Sequence, residues 1–154
     1  MNELHKKGVV LGLGVALLVF SGFGPRPFAA AAANKSVDAI SRHIAVLKSG
    51  RAQERAAAAY WLGRQKSAAA AAVDPLVELL GDASEVNPAQ YRSRTALQKL
   101  TLGEEAAAAL VNIGRSSIEP LIRILKTSPL PEARKNAAWA LGALHDTGAT
   151  STQI

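Results

Sequence analysis

A nine-residue segment occurs twice in this chain, and it restricts the fold more than any other feature of the sequence. Residues 55–63 read RAAAAYWLG and residues 134–142 read RKNAAWALG. Both begin with arginine, carry two alanines before an aromatic residue and end in Leu-Gly. A third, weaker copy at 106–114, AAAALVNIG, has aliphatic residues in place of the aromatic pattern. The repetition predicts stacked copies of one helical unit.

A second repeated segment follows the copy at 55–63 and the copy at 106–114. Residues 73–80 read VDPLVELL and residues 118–125 read IEPLIRIL. An acidic residue before a proline suits a helix start, because proline lacks only a donor that would be unpaired there and the carboxylate meets the positive end of the helix dipole. Since the alanine tract at 68–72 also favours helix, we expect a longer or bent helix around Pro75.

Apolar spacing and capping residues predict where the helices begin and end. Ser36 is the expected start of the first helix and Gly63 the expected end of the second. Thr101 and Glu104 form a capping box, and Ser116 and Ser117 are candidate N-caps. The predicted helical segments lie at about 36–49, 52–62, 68–80, 102–113, 116–126 and 132–144.

An alanine-rich, arginine-led helix ending in Leu-Gly, followed by a Pro-Leu-x-x-Leu-Leu helix, resembles HEAT repeats, particularly the short HEAT-like class seen in phycobilisome lyases. The resemblance covers residues 37–144. It implies an all-α fold: an α-solenoid of antiparallel helix pairs, about two and a half to three units, with a concave binding face. A single amphipathic pair cannot bury its own apolar face, so neighbouring units must cover it.

The resemblance also implies the surface that binds a partner. On the concave face formed by the second helices, the expected contacts come from Val77, Glu78, Arg123 and Lys126. We expect a non-catalytic scaffold or adaptor that binds another protein. The alternative is a lyase-like HEAT-repeat enzyme or an enzyme accessory protein.

Residues 81–103 form an insertion that has no counterpart between the later units, where residues 127–131 make the same connection. The insertion collects an aromatic residue and positive charges in Tyr91, Arg92 and Arg94. Because loops on rigid scaffolds often carry function, these three residues join the candidate partner-binding site. The competing interpretation is a solvated crossover with a short helix at 94–100.

The last predicted helix has no partner helix after it in this sequence. Either the repeat array is truncated, or its apolar face is covered by a partner or a second copy. Trp139, Leu141 and Leu144 are the candidate self-association residues. A homodimer through the C-terminal helix is the corresponding expectation.

The first 33 residues have the features of a signal peptide. A basic start precedes the uncharged run GVVLGLGVALLVF at 8–20, and FAAAAA at 28–33 supplies small residues suited to a cleavage site. We therefore expect a bacterial protein that is periplasmic or secreted, with a repeat domain at 34–146 and a flexible tail at 147–154. The alternative is an uncleaved N-terminal anchor, in which residues 1–33 provide the only membrane contact.

The remaining composition offers little chemistry. The chain has no cysteine, and its three histidines, His5, His43 and His145, lack metal-ligand spacing. Glu104 and Glu105 are interpreted as helix-dipole partners at a helix start, not as paired catalytic carboxylates. The arginines are spread over different helices, which argues against nucleic-acid binding. We expect no metal, no cofactor and no enzymatic activity.

Overall fold

The computed structural model describes residues 27–92 and 99–148, with side chains from residue 34 onward. Over these residues the protein is an all-α solenoid of helix pairs with one small hairpin, which confirms the predicted fold class. The helices are α1 (Pro27–Ser49), α2 (Ala52–Arg64), α3 (Val73–Val77), α4 (Leu102–Ile113), α5 (Ile118–Thr127) and α6 (Pro131–Asp146). The strands are β1 (Glu85–Val86) and β2 (Leu100–Thr101), and short 3-10 helices span Lys66–Ala72, Pro88–Gln90 and Arg115–Ser117.

The helices form two layers. Helices α2, α4 and α6 lie side by side as the first-helix layer, and α1, α3 and α5 form the second-helix layer. Each first helix also packs against the second helix next to it in the chain. This is the arrangement expected when each pair can bury its apolar face only against neighbouring pairs.

Alanine and glycine bring α2 and α4 into close contact. Ala56 and Ala59 of α2 are completely buried, as are Ala106 and Ala107 of α4. A Cβ atom built on Gly63 would lie 2.9 Å from the Ala109 Cα. The prediction that Gly63 ends the helix is therefore wrong: α2 continues to Arg64, and the glycine is needed because another backbone passes so close.

Helix α1 begins earlier than Ser36, the predicted start. It runs continuously from Pro27, so Ser36 is an interior residue of the helix. The physical reason is that the alanines at 29–33 are strong helix formers and extend the helix upstream. The proposed signal core at 8–20 lies outside the described residues. Among the residues that the structure describes, no helix is both long and apolar enough to cross a membrane.

The expected bend is present, but it lies at Ala69, upstream of Pro75. Residues Lys66–Ala72 form a 3-10 helix in which Ala69 leaves helical geometry, with φ −92° and ψ 22°. Helix α3 then starts at Val73, which places Pro75 in its first turn, where a missing donor costs no hydrogen bond.

The two predicted caps have different outcomes. At α4 the capping box is formed: Glu104 N–H donates to Thr101 Oγ1 at 3.2 Å, and Thr101 N–H donates to Glu104 Oε2 at 2.9 Å. At α5, Ser117 occupies the N-cap position as predicted, but its side chain does not cap the helix. Ser117 makes no side-chain cap because its hydroxyl donates to the Leu110 carbonyl at 2.9 Å and ties α4 to the following turn.

The insertion folds back on itself through the antiparallel pair β1–β2, in which Glu85 faces Thr101 and Val86 faces Leu100. The short helix predicted at 94–100 is wrong at its C-terminal end, because Leu100 belongs to β2. Residues 93–98 lie outside the described part of the chain.

Candidate functional site

Two reciprocal hydrogen bonds fix the insertion to the first-helix layer. The Gln53 side chain on α2 donates to the Asn87 carbonyl at 2.8 Å, and the Asn87 N–H donates back to Gln53 Oε1 at 2.9 Å. Asn87 also accepts from the Ala89 N–H at 3.0 Å and starts the 3-10 turn at Pro88–Gln90. This turn leads directly into Tyr91 and Arg92, so both side chains are delivered from an anchored segment.

A buried carboxylate lies at the centre of the site. Glu105, in the first turn of α4, is only 1% exposed. The Tyr91 hydroxyl donates to Glu105 Oε2 at 2.8 Å, and Arg92 Nη2 donates to the same oxygen at 2.6 Å. A buried charge is tolerated only when it is paired and hydrogen-bonded, and this pair of donors meets that requirement.

Burial raises the pKa of the Tyr91 hydroxyl well above its ordinary value, and the neighbouring Glu105 carboxylate adds to that rise. Tyr91 therefore stays protonated at all physiological pH values and acts as a hydrogen-bond donor to Glu105. This is a positioning role, because a phenol that does not ionise is a poor general base.

The same two insertion residues cover Tyr60 of α2. The Tyr91 ring is tilted against the Tyr60 ring with 5.6 Å between centroids, and the Arg92 Cζ lies 5.2 Å from the Tyr60 centroid. The exposed Arg64 also approaches this ring, at 5.9 Å. Tyr60 is thus enclosed by an aromatic ring and guanidinium groups, which favour its negative face.

A cavity of about 790 Å³, here called the α1–α2 pocket, opens beside Tyr60. On one side the His43 ring stacks parallel to the Trp61 ring at 3.9 Å, and His43 Nδ1 donates to the Ala39 carbonyl at 2.8 Å. The lining combines aromatic, aliphatic and polar side chains: His43, Val46, Glu54, Ala57, Ala58, Tyr60, Trp61, Arg64, Gln65 and Tyr91.

A second cavity of about 460 Å³, the α4–α6 groove, lies on the other side of Arg92. Trp139 stands at its edge with 56% of its surface exposed, more than the tyrosines and the other tryptophan in the described part of the chain. Lys135, one turn earlier, forms an ion pair with Glu132. The lining residues are Arg92, Leu100, Glu104, Ala108, Lys135, Asn136 and Trp139.

The residues predicted to form the second-helix surface are only partly available. Val77 is 7% exposed and belongs to the core, which corrects its assignment to a binding face, because its side chain fills the space between the layers. Glu78 is exposed at the end of α3. Arg123 and Lys126 are exposed on α5, and Arg123 Nη2 lies 3.7 Å from Asp74 Oδ1.

The predicted insertion residues and the predicted self-association residues also differ among themselves in location and exposure. Tyr91 and Arg92 contact the first helices, and Arg94 lies outside the described residues. Trp139 is exposed and Leu141 is half-buried, whereas Leu144 is fully buried. This corrects the assignment of Leu144 to a dimer face, because the residue already packs inside its own chain.

Glu105 is the residue that the sequence interpretation missed. Glu104 does cap the helix, but Glu105 is a buried acceptor for two distant side chains. Its position held the signal: it lies three residues after Leu102 and four before Ala109, on the apolar stripe of α4. A carboxylate on a buried stripe requires a cationic partner, and the insertion before α4 supplies several candidate cations.

Comparison with known families agrees with this architecture. Residues 54–82 match the family model described as the PBS lyase HEAT-like repeat. These residues form a HEAT-like repeat.

The matched HEAT-like repeat comprises α2, the 3-10 segment and α3, which is one complete first-helix and second-helix pair. It stops at Asp82, where the insertion begins, so Tyr91, Arg92 and the α4–α6 groove are outside the matched residues. Searches of curated proteins and of solved structures found no match for this chain. No group of His, Asp or Glu within 27–92 and 99–148 could hold a metal ion.

Proposed function

We propose that this HEAT-like repeat protein is a non-catalytic scaffold that binds another protein on the outer surface of its first-helix layer. The observation that carries the proposal is Trp139, a largely exposed tryptophan at the edge of a groove in a rigid helical layer. Tryptophan is enriched among the residues that dominate binding energy at protein interfaces. Leu100 and Ala108 give the groove an apolar floor, and Lys135, Asn136 and Glu104 give it a polar rim.

The non-catalytic part of the proposal is supported by how the ionisable groups are used. Glu105 is engaged by Tyr91 and Arg92, and Glu104 caps α4. Both carboxylates therefore have structural partners: Glu105 holds the insertion against α4, and Glu104 holds the start of α4. The N-terminal signal-like segment supports a location in the bacterial cell envelope, either periplasmic or anchored to the membrane by residues 1–33.

Affinity capture tests the proposed surface. The full-length protein with a C-terminal tag would be expressed in its own host and its retained proteins compared with those of two variants. Trp139→Ala is expected to lose a specifically retained protein, because it removes the anchor without disturbing buried residues. The double variant Arg123→Glu, Lys126→Glu, on the second-helix layer, is expected to keep it. The reverse result would move the binding face to α5.

Self-association is a competing use of the same surface. A homodimer through α6 would place Trp139 against a second copy. Sedimentation velocity across a hundredfold concentration range separates the two cases: a monomer at every concentration supports binding to a different protein.

A second candidate function is an accessory protein of the lyase-like kind that holds an organic molecule. The α1–α2 pocket favours it, because about 790 Å³ with aromatic lining falls in the size range of small-molecule sites. Purification under native conditions followed by mass spectrometry of the intact complex would detect such a molecule. Its loss in Tyr60→Ala but not in Trp139→Ala would assign it to this pocket.

A further inference from the structure

The two aromatic residues of the repeated segment occupy equivalent positions, Tyr60 in RAAAAYWLG and Trp139 in RKNAAWALG. The chain itself covers Tyr60, with the Tyr91 ring 5.6 Å and the Arg92 guanidinium 5.2 Å from the centre of its ring. No described residue covers Trp139 in this way: it is 56% exposed, and the cation–π and ring contacts of the described residues do not include it. In the first copy, an aromatic ring and a guanidinium group thus lie against the aromatic residue at this position of the repeat.

The charges around the α4–α6 groove favour the same chemistry. Arg92 is paired with Glu105, and Lys135 is paired with Glu132. The carboxylate of Glu104 remains, and it forms no ion pair with a described residue; its Oε2 accepts only the cap hydrogen bond from the Thr101 N–H. Glu104 is thus the one anion among the three charged side chains that line the groove, beside the cations Arg92 and Lys135, and its charge also acts on Lys135.

An incoming guanidinium has two favourable partners here. The indole of tryptophan is the best of the aromatic rings at attracting a cation placed over its face. The Glu104 carboxylate lines the same groove, and a planar guanidinium group can donate to it while stacking on the indole.

We propose that the α4–α6 groove binds an arginine-bearing segment of a partner protein, with the guanidinium over Trp139 and an adjacent aromatic side chain on Leu100 and Ala108. The guanidinium over Trp139 repeats in trans what Arg92 does to Tyr60 in cis. It rests on the proposed scaffold function and specifies the chemistry of the partner.

A peptide with the sequence of the segment that packs on Tyr60 provides the probe. The capped hexapeptide PAQYRS, the sequence of residues 88–93, would be titrated into the full-length ¹⁵N-labelled protein. The chain has two tryptophans, so its spectrum has two indole N–H signals, which the Trp139→Ala spectrum assigns. The Trp139 signal is expected to shift in a saturable way while the Trp61 signal stays in place.

Peptide variants test the chemistry. PAQYES is expected to bind at least about tenfold more weakly than PAQYRS, since it loses the cation–π contact and places a carboxylate near Glu104. PAQARS, without the aromatic ring, is expected to bind severalfold more weakly. Equal binding of PAQYRS and PAQYES would overturn the proposal, as would a response confined to Trp61.

Protein variants test the site. Trp139→Ala is expected to abolish the saturable shifts, whereas Leu125→Ala, which removes a comparably exposed apolar side chain from α5, is expected to leave the affinity unchanged. Glu104→Gln removes the one carboxylate that lines the groove while keeping an acceptor for the helix cap, and it is expected to weaken PAQYRS binding severalfold. An undiminished affinity in Glu104→Gln and Trp139→Ala together would place the peptide elsewhere and overturn the proposal.

The peptide titration and the capture experiment test the two proposals independently, so either proposal can be overturned without the other. If a protein is retained through Trp139 but PAQYRS and PAQYES bind alike, the scaffold function stands and the arginine assignment is overturned. If PAQYRS binds selectively but the wild-type chain retains no protein, the scaffold function fails and the groove chemistry stands. Self-association that Trp139→Ala abolishes, without any response to PAQYRS, gives the groove to a second copy and overturns the proposal.

Discussion

Helices α2 and α6 contain the two strong copies of the repeated segment and differ in what surrounds them. The arginine that opens each copy does the same work in both. Arg55 Nε donates to the Leu47 carbonyl at 2.9 Å, and Arg134 Nη1 donates to the Ser128 carbonyl at 2.8 Å. Both carbonyls lie at the end of the preceding second helix, where acceptors lack partners within the helix. The repeated arginine therefore joins each first helix to the helix before it.

The other repeated positions diverge. Ala59 is completely buried, whereas the equivalent Ala138 is exposed. Gly63 lies against Ala109, whereas a Cβ atom on Gly142 would have no neighbour within 4 Å. The cause is helix α4, which covers α2 on this side; no described helix covers α6 in the same way. The same residues thus form an interface in one copy and a surface in the other.

The largest loss of stability is expected from removing Arg92, which lies over Tyr60 of the first copy and pairs with Glu105. Arg92→Ala leaves the buried Glu105 carboxylate with Tyr91 as its remaining side-chain donor, and breaking a buried pair in this way costs about 3 kcal/mol or more. Arg64→Ala is the matched control: it removes the other guanidinium near Tyr60, but from an exposed side chain, and should cost less than about 0.5 kcal/mol. Urea denaturation measures both, and equal effects would show that Glu105 does not depend on Arg92.

The alanine pair compares the two copies directly. Ala59→Leu is expected to destabilise the protein by about 1–3 kcal/mol, because the contact between α2 and α4 has no room for a larger side chain. Ala138→Leu, at the equivalent position of α6, should change the free energy of unfolding by less than about 0.5 kcal/mol. Thermal melts that fall by the same amount in both variants would show that α6 is covered in solution.

The glycine pair is expected to give effects of opposite sign. Gly63→Ala brings a Cβ atom to 2.9 Å from the Ala109 backbone, so α2 and α4 must separate, at a cost of about 1–2 kcal/mol. Gly142→Ala fills open space in the interior of α6 and should stabilise it by about 0.5–1 kcal/mol through helix propensity. Chemical denaturation of the two variants measures this difference, and a loss of stability in Gly142→Ala would indicate a neighbour on that face.

The smallest effect concerns an ion pair that only the first copy makes among the described residues. Arg55 Nη1 lies 3.2 Å from Asp82 Oδ2, and Ser84 N–H donates to Asp82 Oδ1 at 2.9 Å. Burial opposes ionisation of Asp82, but the hydrogen bonds from Ser84 and the charge of Arg55 outweigh it and hold the Asp82 pKa below its ordinary value of 3.8.

A lowered folded-state pKa stabilises the protein above the unfolded value, and that contribution is lost as the pH falls through the folded value. Asp82→Asn should therefore cost about 0.5–1 kcal/mol at pH 7, and the difference from wild type should shrink as the pH falls below about 4. Urea denaturation at a series of pH values measures the difference. A constant gap from pH 7 to pH 3 would mean that the ionisation of Asp82 contributes nothing.

The elements that the sequence predicted correctly depend on neighbours close in the chain. The α4 capping box needs only Thr101 and Glu104, three residues apart, and the bend before Pro75 follows from local backbone chemistry. The repeat itself predicted the solenoid because each copy has the same local propensities. The errors at Ser36 and Gly63 arose where a local signal met a stronger effect, upstream alanine propensity in one case and a close helix contact in the other.

The site was less predictable because its parts come from distant segments. The sequence pointed to Tyr91 and Arg92, but not to their contacts with the first helices, which depend on the β1–β2 pairing and on the Gln53–Asn87 hydrogen bonds. Val77 looked like a surface residue because alternate faces of a helix as short as α3 cannot be told apart by spacing alone.

The shared oxygen at the centre of the site has a thermodynamic consequence. Tyr91 lines the α1–α2 pocket and Arg92 lines the α4–α6 groove, yet both hydrogen bonds end on Glu105 Oε2. A molecule bound in the α4–α6 groove that moved Arg92 away from Glu105 would leave Tyr91 as the remaining side-chain donor to that oxygen. Any coupling free energy between the two cavities is reciprocal. A ligand in the pocket therefore changes the affinity of the groove for its ligand by the same factor as a ligand in the groove changes the affinity of the pocket.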